Sequence, residues 1–258
     1  MDEELGCRMG RVEQMIRYAC WSAGCKGVVI GLSGGVDSAV AAAFCCRAVG
    51  PANVLALSLP SAVSNPQDLR DAADLCKALG MEHRTISIEP ILDAFRAIPG
   101  FSDTPYLLGN LMARIRMAVL YYHANRDNRL VCGTSNRSEY LLGYCTKYGD
   151  NAADIQPILH LYKTEVYEIA RELKIPERII TKAPSAGLWT GQSDEAEIGL
   201  SYPVIDAALI ALARNNWRAS NENEEKVLAL VKKSAHKRIP APTLSTEPTG
   251  QEENAPAR

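Results

Sequence analysis

Residues 27–38 read Gly27-Val28-Val29-Ile30-Gly31-Leu32-Ser33-Gly34-Gly35-Val36-Asp37-Ser38. The β-branched run near its start is typical of a buried strand, and the alanine-rich residues 39–49 predict a helix. A glycine-rich turn that leads into a helix lets the backbone approach an anion closely. The first N–H groups of the helix then point at the anion from the positive end of the helix dipole. This order of elements predicts a phosphate-binding turn.

The acid in this turn narrows its chemistry. A Walker A loop ends in Lys-Ser or Lys-Thr, and a dinucleotide-binding turn has the spacing G-x-G-x-x-G; neither pattern is present. A carboxylate beside a phosphate would repel it unless a cation lay between them. Asp37 is therefore interpreted as a Mg²⁺ ligand. The alternative is that Gly34-Gly35 makes only a tight turn.

Length and charge limit the class of protein. A chain of 258 residues is long enough for one well-buried α/β domain and too short for two of full size. The net charge of −2 provides no field that would recruit nucleic acid or a membrane surface. No apolar run approaches the length of a membrane span. The acidic start, Met1-Asp2-Glu3-Glu4, is unlike a secretion signal, so a cytoplasmic location is expected.

The eight cysteines favour a structural role. None forms a C-x-x-C pair, and the four histidines are scattered, which argues against a zinc site. Most of these cysteines lie in apolar stretches, where a thiol serves as a small core side chain. We therefore expect reduced cysteines.

Predicted strands and helices alternate along the chain. Besides the strand before the turn, strands are predicted at residues 53–59, 83–88 and 129–134. Helices are predicted at residues 12–22, 39–49, 67–79, 107–123 and 164–173. The pattern predicts an α/β fold with a doubly wound, Rossmann-like parallel sheet and helices on both faces, whose ligands lie beyond the strand C-termini. Residues 1–238 are expected to form a single domain, and residues 239–258, which have almost no apolar side chains, a disordered tail.

A second polar turn follows the fourth predicted strand: Gly133-Thr134-Ser135-Asn136-Arg137-Ser138-Glu139. Because parallel strands end at the same edge of a sheet, Glu139 would face the first turn and could share one Mg²⁺ with Asp37. The alternative is a helix cap, with Ser135 or Asn136 at the helix start and the acid in the first turn. Both roles can coexist.

These motifs resemble those of a known family. Ser33–Ser38 is similar to the pyrophosphatase loop of the ATP pyrophosphatases, which have an adenine nucleotide alpha hydrolase-like fold, adenylate a substrate and release pyrophosphate. The second turn resembles the Gly-Thr-x-Asn-x-Ser-Glu segment of NAD synthetases. Further blocks in the same order lie at residues 109–117, 146–150, 182–195 and 236–238. On these residues the chain is identified as a member of the ammonia-dependent NAD synthetases, with Asn151-Ala152 where members usually carry Gly-Gly.

The resemblance implies a reaction and a set of site residues. The reaction is the ATP-dependent amidation of deamido-NAD to NAD by ammonia, through an adenylated intermediate. The implied ATP contacts are Gly31, Leu32, Ser33, Gly34, Gly35, Val36, Asp37, Ser38, Thr134, Lys163 and Ser185. The implied deamido-NAD contacts are Arg114, Lys147, Asp154, His236 and Lys237. The implied catalytic residues are Asp37, Glu139 and Lys163, with Mg²⁺ held by Asp37 and Glu139.

The resemblance also implies a homodimer and a nitrogen source. About thirty residues precede the first predicted strand, too few for the amidase domain of glutamine-using relatives, so ammonia is the expected donor. Several local alternatives remain open: Arg114 and Arg116 as solvated helix charges, Lys163 as an exposed lysine, and 236–238 as a solvated basic surface.

Two other functions remain open at the level of the whole protein. One is a different adenylating ATP pyrophosphatase, such as a tRNA-modifying ligase; the nearly balanced charge and the absence of a basic patch interleaved with aromatic residues argue against it. The other is a regulator that binds nucleotide without turnover. Binding alone rarely needs a metal site with two carboxylates, which argues against this function.

Overall fold

The computed structural model describes residues 3–185, 187–189 and 191–244. Its sheet has four parallel strands in the order β3-β2-β1-β4. The strands are β1 (Val28–Gly31), β2 (Val54–Ser58), β3 (Glu82–Thr85) and β4 (Leu130–Cys132). In the central register Val28 lies beside Val54 on one side and Leu130 on the other. The predicted parallel sheet is confirmed.

Helices fill the connections between the strands and the C-terminal part of the described chain. They are α1 (Glu3–Ser22), α2 (Val36–Val49), α3 (Pro66–Leu79), α4 (Glu89–Arg96), α5 (Pro105–Asp127), α6 (Arg137–Leu142), α7 (Lys163–Glu172), α8 (Glu177–Ile180), α9 (Asp194–Ile198), α10 (Tyr202–Arg214) and α11 (Glu222–Lys233). Single 3₁₀ turns lie at Pro51–Asn53 and Ala235–Lys237. All five predicted helices are present, and α5 is longer at both ends than expected.

The third strand is shorter than the sequence predicted. Residues 83–88 alternate in the expected way, but β3 ends at Thr85. Beyond it the chain still follows its neighbour, since the Ile86 amide donates to Ser58 O and the Ile88 amide to Pro60 O. The chain then turns into α4, which the sequence analysis did not predict.

The sheet is covered on both faces. Successive side chains of a strand point to opposite faces, so Val28 and Ile30 lie in one core while Val29 lies in the other. The first core is completed by apolar side chains from α1, α2, α3 and α7, and the second by side chains from α4 and α5. Strands buried in this way read as continuous apolar runs, as residues 28–30 do. Helices on both faces of the sheet confirm the doubly wound arrangement.

A third core lies beside the sheet and joins α6 to α10 and α11. Its central side chains include Leu142, Tyr202, Leu209 and Val227. The sequence analysis did not predict α10 or α11. Of the predicted tail, residues 239–244 carry no helix or strand, and residues 245–258 lie outside the described part of the chain. Among the helices of the described residues, none is both long and apolar enough to cross a membrane.

The strand order places a crevice beside β1. After β1 the chain builds β2 and then β3 on one side, and it returns to the other side of β1 with β4. At such a switch point the loops that follow the two adjacent strands, β1 and β4, diverge and leave room for a ligand. Here those loops are the Ser33–Ser38 turn after β1 and the 133–139 turn after β4.

Candidate active site

The turn after β1 is held together by its two serines. Ser33 Oγ and Ser38 Oγ lie 3.1 Å apart, and Ser33 Oγ accepts a hydrogen bond from the Gly35 amide at 3.2 Å. Ser38 Oγ donates to Gly35 O at 3.0 Å and accepts from the Ser33 amide. Gly34 has φ +82° and lies against the backbone of Asp68, where an added Cβ would collide. Val36 then begins α2, so the turn is fixed at the start of a helix.

Two carboxylates from separate loops meet at one buried ammonium group. Lys163 is 2% exposed, and its Nζ lies 2.5 Å from Asp37 Oδ2 and 3.3 Å from Glu139 Oε1. Asp37 stands in the first turn of α2, Glu139 in the first turn of α6, and Lys163 is the first residue of α7. Burial excludes the alternative of an exposed lysine.

Asn136 links the two loops directly. Its side-chain oxygen accepts from the Glu139 amide at 3.0 Å, and Glu139 Oε2 accepts from the Asn136 amide, which completes a capping box at the start of α6. The amide nitrogen of the same side chain donates to Asp37 Oδ1 at 2.8 Å. The helix cap expected as an alternative is therefore present, and Glu139 makes it while also contacting Lys163.

The charges of this cluster shift one another's pKa values. Burial and the neighbouring Asp37 raise the pKa of Glu139 to about 8, although Lys163 opposes the shift. Burial disfavours the charged form of Lys163, but Asp37 and Glu139 outweigh it and raise its pKa above the ordinary lysine range. Near neutral pH the lysine is therefore cationic.

The surroundings of Lys163 fix its position. Its backbone amide donates to Ser138 Oγ at 2.9 Å, and Ser138 in turn donates to the buried carboxylate of Asp206. Asp206 also accepts from the Thr164 amide at 2.9 Å. The ring of Tyr202 lies under the ammonium, with its centroid 5.0 Å from Nζ. Residues of α6 and α10 thus orient the start of α7.

A second group of candidate residues lies at the other end of α6. Arg114 donates to Lys147 O at 3.2 Å, and Lys147 Nζ donates to His236 O at 2.6 Å. Lys237 Nζ donates to Gly143 O at 2.7 Å and to Cys145 O at 2.6 Å. Lys237 thus binds carbonyls at the C-terminal end of α6, where the helix dipole favours a cation. The basic segment is attached to the protein through these contacts.

Arg114 and Arg116 lie on different faces of α5, as their spacing predicts. Arg114 is exposed and reaches the 146–150 loop. Arg116 turns inward and donates to Leu59 O at 2.9 Å, and burial lowers its pKa. A solvated charge therefore does not describe Arg116.

Asp154 is engaged within the protein. Its carboxylate accepts from the Val131 amide of β4 at 2.7 Å and from the Tyr121 hydroxyl at 3.2 Å. A cavity of about 370 Å³ opens nearby, with Tyr121, Lys147, Asn151 and Lys237 among its lining residues. Asn151, one of the two residues that depart from the family pattern, donates to Lys237 O at 3.2 Å. The unusual Asn151-Ala152 pair therefore shapes this cavity.

The remaining candidates are less tightly placed. Thr134 lies in the loop that follows β4, two residues before the Asn136 cap. Ser185 is exposed, and its hydroxyl accepts from the Gly187 amide at 3.1 Å. It belongs to residues 183–193, here named the lid segment. Leu188 of that segment packs against α5 at Gly109, where an added Cβ would lie 3.1 Å from the leucine Cβ.

Sequence reasoning missed several residues that build the site. Asn136 was considered only as a cap, and its bond to Asp37 depends on how β1 and β4 pair. Asp206 supports Lys163 from α10, which was not predicted. Lys182 was noted within a motif without a role, yet its ammonium reaches Gly34 O of the first turn at 2.9 Å. Of these residues, only Asn136 had a signal in the sequence, the N-x-x-E spacing that is typical of a helix cap.

The fold and the site together define an α/β protein of the Rossmann-like, adenine nucleotide alpha hydrolase type, with its polar residues at the switch point of the sheet. Residues 9–241 match the family described as NAD synthase. The chain belongs to the NAD synthase family.

Individual relatives agree with this assignment. The NH(3)-dependent NAD(+) synthetase of Methanoregula boonei is 70% identical over 248 residues, which cover 96% of this chain and 100% of that protein. A solved NH3-dependent NAD synthetase from Campylobacter jejuni is 37% identical, with a TM-score of 0.81 over 95% of this chain and 100% of that chain. A solved NMN synthetase from Francisella tularensis is 41% identical, with a TM-score of 0.84 over 92% of this chain and 97% of that chain.

Proposed function

We propose that the protein amidates deamido-NAD to NAD with ATP and ammonia, and releases AMP and pyrophosphate. The observation that carries the proposal is the meeting of Asp37, Glu139 and Lys163 beside a phosphate-type turn at the sheet's switch point. Membership of the NAD synthase family and the 70% identical NH(3)-dependent relative support it.

The proposed reaction has two steps. A carboxylate is a poor electrophile because its leaving group would be oxide. In the first step an oxygen of the nicotinate carboxylate attacks the α-phosphorus of ATP, and the bond to pyrophosphate breaks. In the second step ammonia attacks the acyl-adenylate carbonyl, loses a proton, and displaces AMP to leave the amide. The first step gathers negative charge on the α-phosphate and the departing pyrophosphate, so fixed positive groups would lower its barrier.

The chain supplies such groups on both sides of the crevice. The N–H groups of Val36, Asp37 and Ser38 lie in the first turn of α2, where they would bind phosphate oxygens. Lys163 would stabilise the charge that develops during adenylation, because its ammonium is buried and held between two carboxylates. The proposed roles of Thr134 and Ser185 as ATP contacts rest on the family resemblance.

The donor set fits a magnesium ion. Asp37 Oδ2 and Glu139 Oε1 both reach one cationic nitrogen, so the two loops present hard oxygen ligands to a common region. Mg²⁺ is commonly bound by one or two carboxylates together with substrate phosphates. When bound, it would neutralise charge on the phosphate oxygens. Asn136 keeps Asp37 oriented toward this region through its bond to Oδ1.

We assign the deamido-NAD side to the second group of residues. Arg114, Lys147, Asp154, His236 and Lys237 are its proposed contacts. The cavity of about 370 Å³ between Lys147 and Lys237 supports this assignment, since it offers a concave site lined by cations and by Tyr121 and Tyr148. Aromatic and cationic side chains suit a dinucleotide that carries rings and phosphates.

A second candidate substrate is nicotinate mononucleotide. It is favoured by one observation, the likeness to the Francisella tularensis protein described as an NMN synthetase. The amidation would be the same, because both substrates carry the nicotinate carboxylate. The two candidates differ in whether an adenylate half must be bound.

The test measures AMP and pyrophosphate released from ATP with each substrate in turn, with ammonium or glutamine as nitrogen source. We expect release that depends on deamido-NAD, with ammonium far more effective than glutamine. A higher kcat/KM for nicotinate mononucleotide than for deamido-NAD would make the mononucleotide the proposed substrate. ATP binding without turnover would support a regulator instead.

The same assay on Asp37→Asn probes the proposed metal ligand. We expect a loss of at least about tenfold in kcat/KM, because a neutral amide is a weaker ligand for a divalent ion. Asp93→Asn is the matched control, since this aspartate lies on the exposed face of α4 and pairs with Arg96 of the same helix, far from the turn in sequence. Equal activity of both variants would contradict the role of Asp37.

We further propose that the protein is a homodimer in the cytoplasm. Exposed aromatic side chains on α5, Tyr106 (72%) and Tyr122 (65%), support a subunit contact along this helix. The eight cysteines are free thiols, which fits a reducing compartment. Light scattering at micromolar concentration tests the dimer, and a monomer mass would contradict it.

A further inference from the structure

An ion cluster on α3 that the proposed mechanism does not use reaches the phosphate-binding turn. Lys182 Nζ lies 2.6 Å from Asp68 Oδ1 and 2.8 Å from Asp71 Oδ2, and it donates to Gly34 O at 2.9 Å. We propose that Lys182 is a positioning residue that sets the geometry of the turn for ATP. The inference rests on the proposed binding of ATP by this turn.

The contact to Gly34 O controls the direction of a neighbouring amide. The Gly34–Gly35 peptide is trans, so its carbonyl and its N–H point in opposite directions. With the carbonyl held by Lys182, the Gly35 N–H is turned to the far side, where it donates to Ser33 Oγ. Two adjacent glycines could otherwise rotate this peptide freely. Lys182 therefore holds this peptide at its carbonyl, and Ser33 holds it at its N–H.

The lysine is itself firmly anchored. Asp71 is 1% exposed, and its carboxylate also accepts from Arg178 Nε and Gln67 Nε2, each at 2.9 Å. A buried carboxylate with several charged partners restricts each partner to one geometry. Lys182 is thus held on α3 by Asp68 and Asp71 while its third contact reaches the turn.

The position of Lys182 along the chain adds a second consequence. It directly precedes the lid segment, whose base is closed by a hydrogen bond from the Asp194 amide to Pro184 O at 3.1 Å. The same anchor therefore fixes both the turn and the start of the segment that carries Ser185. Loss of the lysine should weaken ATP binding and leave the distant deamido-NAD side unaffected.

A merely structural role would look different. If Lys182 acted only as a counter-ion for the buried Asp71, removing either of the two cations that pair with Asp71 would have the same effect on ATP binding. Arg178 is the matched control, because it pairs with the same carboxylate, and its other hydrogen bond within the described chain goes to Asp74 rather than to the turn. Lys182→Met and Arg178→Met each remove one cation from Asp71, but only the first releases Gly34 O.

The experiment compares KM for ATP, KM for deamido-NAD, and thermal stability in three variants. Lys182→Met is expected to raise KM for ATP at least about tenfold and to change KM for deamido-NAD less than twofold. Arg178→Met is expected to leave both values within about twofold. The double variant Asp71→Asn/Lys182→Met should regain the melting temperature that Lys182→Met loses. Its KM for ATP should stay as high as in Lys182→Met.

The outcomes separate the two roles. An equal rise of KM for ATP in Arg178→Met, or recovery of that KM in the double variant, would overturn the proposal. If Lys182→Met fails to fold, KM for ATP is measured on the double variant instead. If the parent protein shows no turnover, the proposed function fails, and the lysine is then judged by ATP affinity from calorimetry. Unchanged affinity in Lys182→Met would refute its positioning role.

Discussion

The two ends of α6 hold their charges in opposite ways. At its start, Lys163 is buried between Asp37 and Glu139, so charged side chains meet one another. Beyond its end, Lys147 and Lys237 donate to main-chain carbonyls. A cation between fixed carboxylates is preorganised for charge that develops in a reaction. A cation on carbonyls holds a segment in place. The start of α6 beside the phosphate-binding turn, called the nucleotide end below, is therefore organised by ion pairs, whereas the other end of α6 is organised by contacts with the main chain.

The largest expected effect tests the charge pairs. Lys163→Met should lower kcat about a hundredfold or more, because it removes the fixed cation beside the proposed adenylation. It should also lower the free energy of unfolding by about 3 kcal/mol, since it leaves two partly buried carboxylates without their shared cation. AMP release and urea unfolding measure the two effects. Lys226→Met, on the exposed face of α11, is the control, and similar losses in both variants would show that Lys163 has no special role.

The second prediction concerns acid stability at the nucleotide end. Burial would raise the pKa of Asp71, but its bonds to Lys182, Gln67 and Arg178 outweigh burial and lower the pKa to about 2. Its ordinary value is near 3.8. The stabilisation is therefore complete above about pH 4 and is lost as the pH falls toward 2. It amounts to about 2 kcal/mol.

The measurement is the free energy of unfolding in urea between pH 5 and pH 2.5. The parent should lose stability more steeply below pH 4 than Asp71→Asn, which has no proton to take up at this site. Parallel curves would contradict the assignment. Lys237 is held by main-chain carbonyls, which are not ionisable, so acid should loosen the Asp71 cluster first.

The third and smallest effect tests the other end. Lys237→Met should lower the free energy of unfolding by about 1.5 kcal/mol, because it removes charged hydrogen bonds to Gly143 O and Cys145 O. Lys147→Met, which loses one exposed contact, should change stability less and raise KM for deamido-NAD more. If Lys237→Met changes only KM, its role is direct contact with substrate.

Much of the nucleotide end could be predicted from the sequence. The strand–turn–helix order around Gly34-Gly35 is local, and parallel strands end at a common edge, so Asp37 and Glu139 were expected on the same side. The hydrogen bonds that join the two turns could not be predicted. The bond between Asn136 and Asp37 depends on the pairing of β1 with β4, across 99 positions of the chain.

The other end could be predicted less well, for a physical reason. The contacts of Lys237 go to backbone carbonyls, and any residue supplies a carbonyl, so no side-chain pattern marks the partner. The short α6 and the added α10 and α11 also decide where the C-terminal segment lies, and their packing with one another is tertiary rather than local. The role of Lys182 was hidden in the same way, since its partner on the turn is Gly34 O.

The position of β4 at the margin of the sheet has a consequence for how activity is lost. This strand has three residues and pairs with β1, while its outer side is covered by residues 154–155 rather than by another strand of the sheet. Short marginal strands open more readily than central ones. Detachment of β4 would carry Glu139 away from Asp37 while β1, β2 and β3 stay paired. Catalysis should therefore cease at a milder stress than global melting, with the Leu130 amide, which donates to Gly27 O just before β1, exchanging its proton in step.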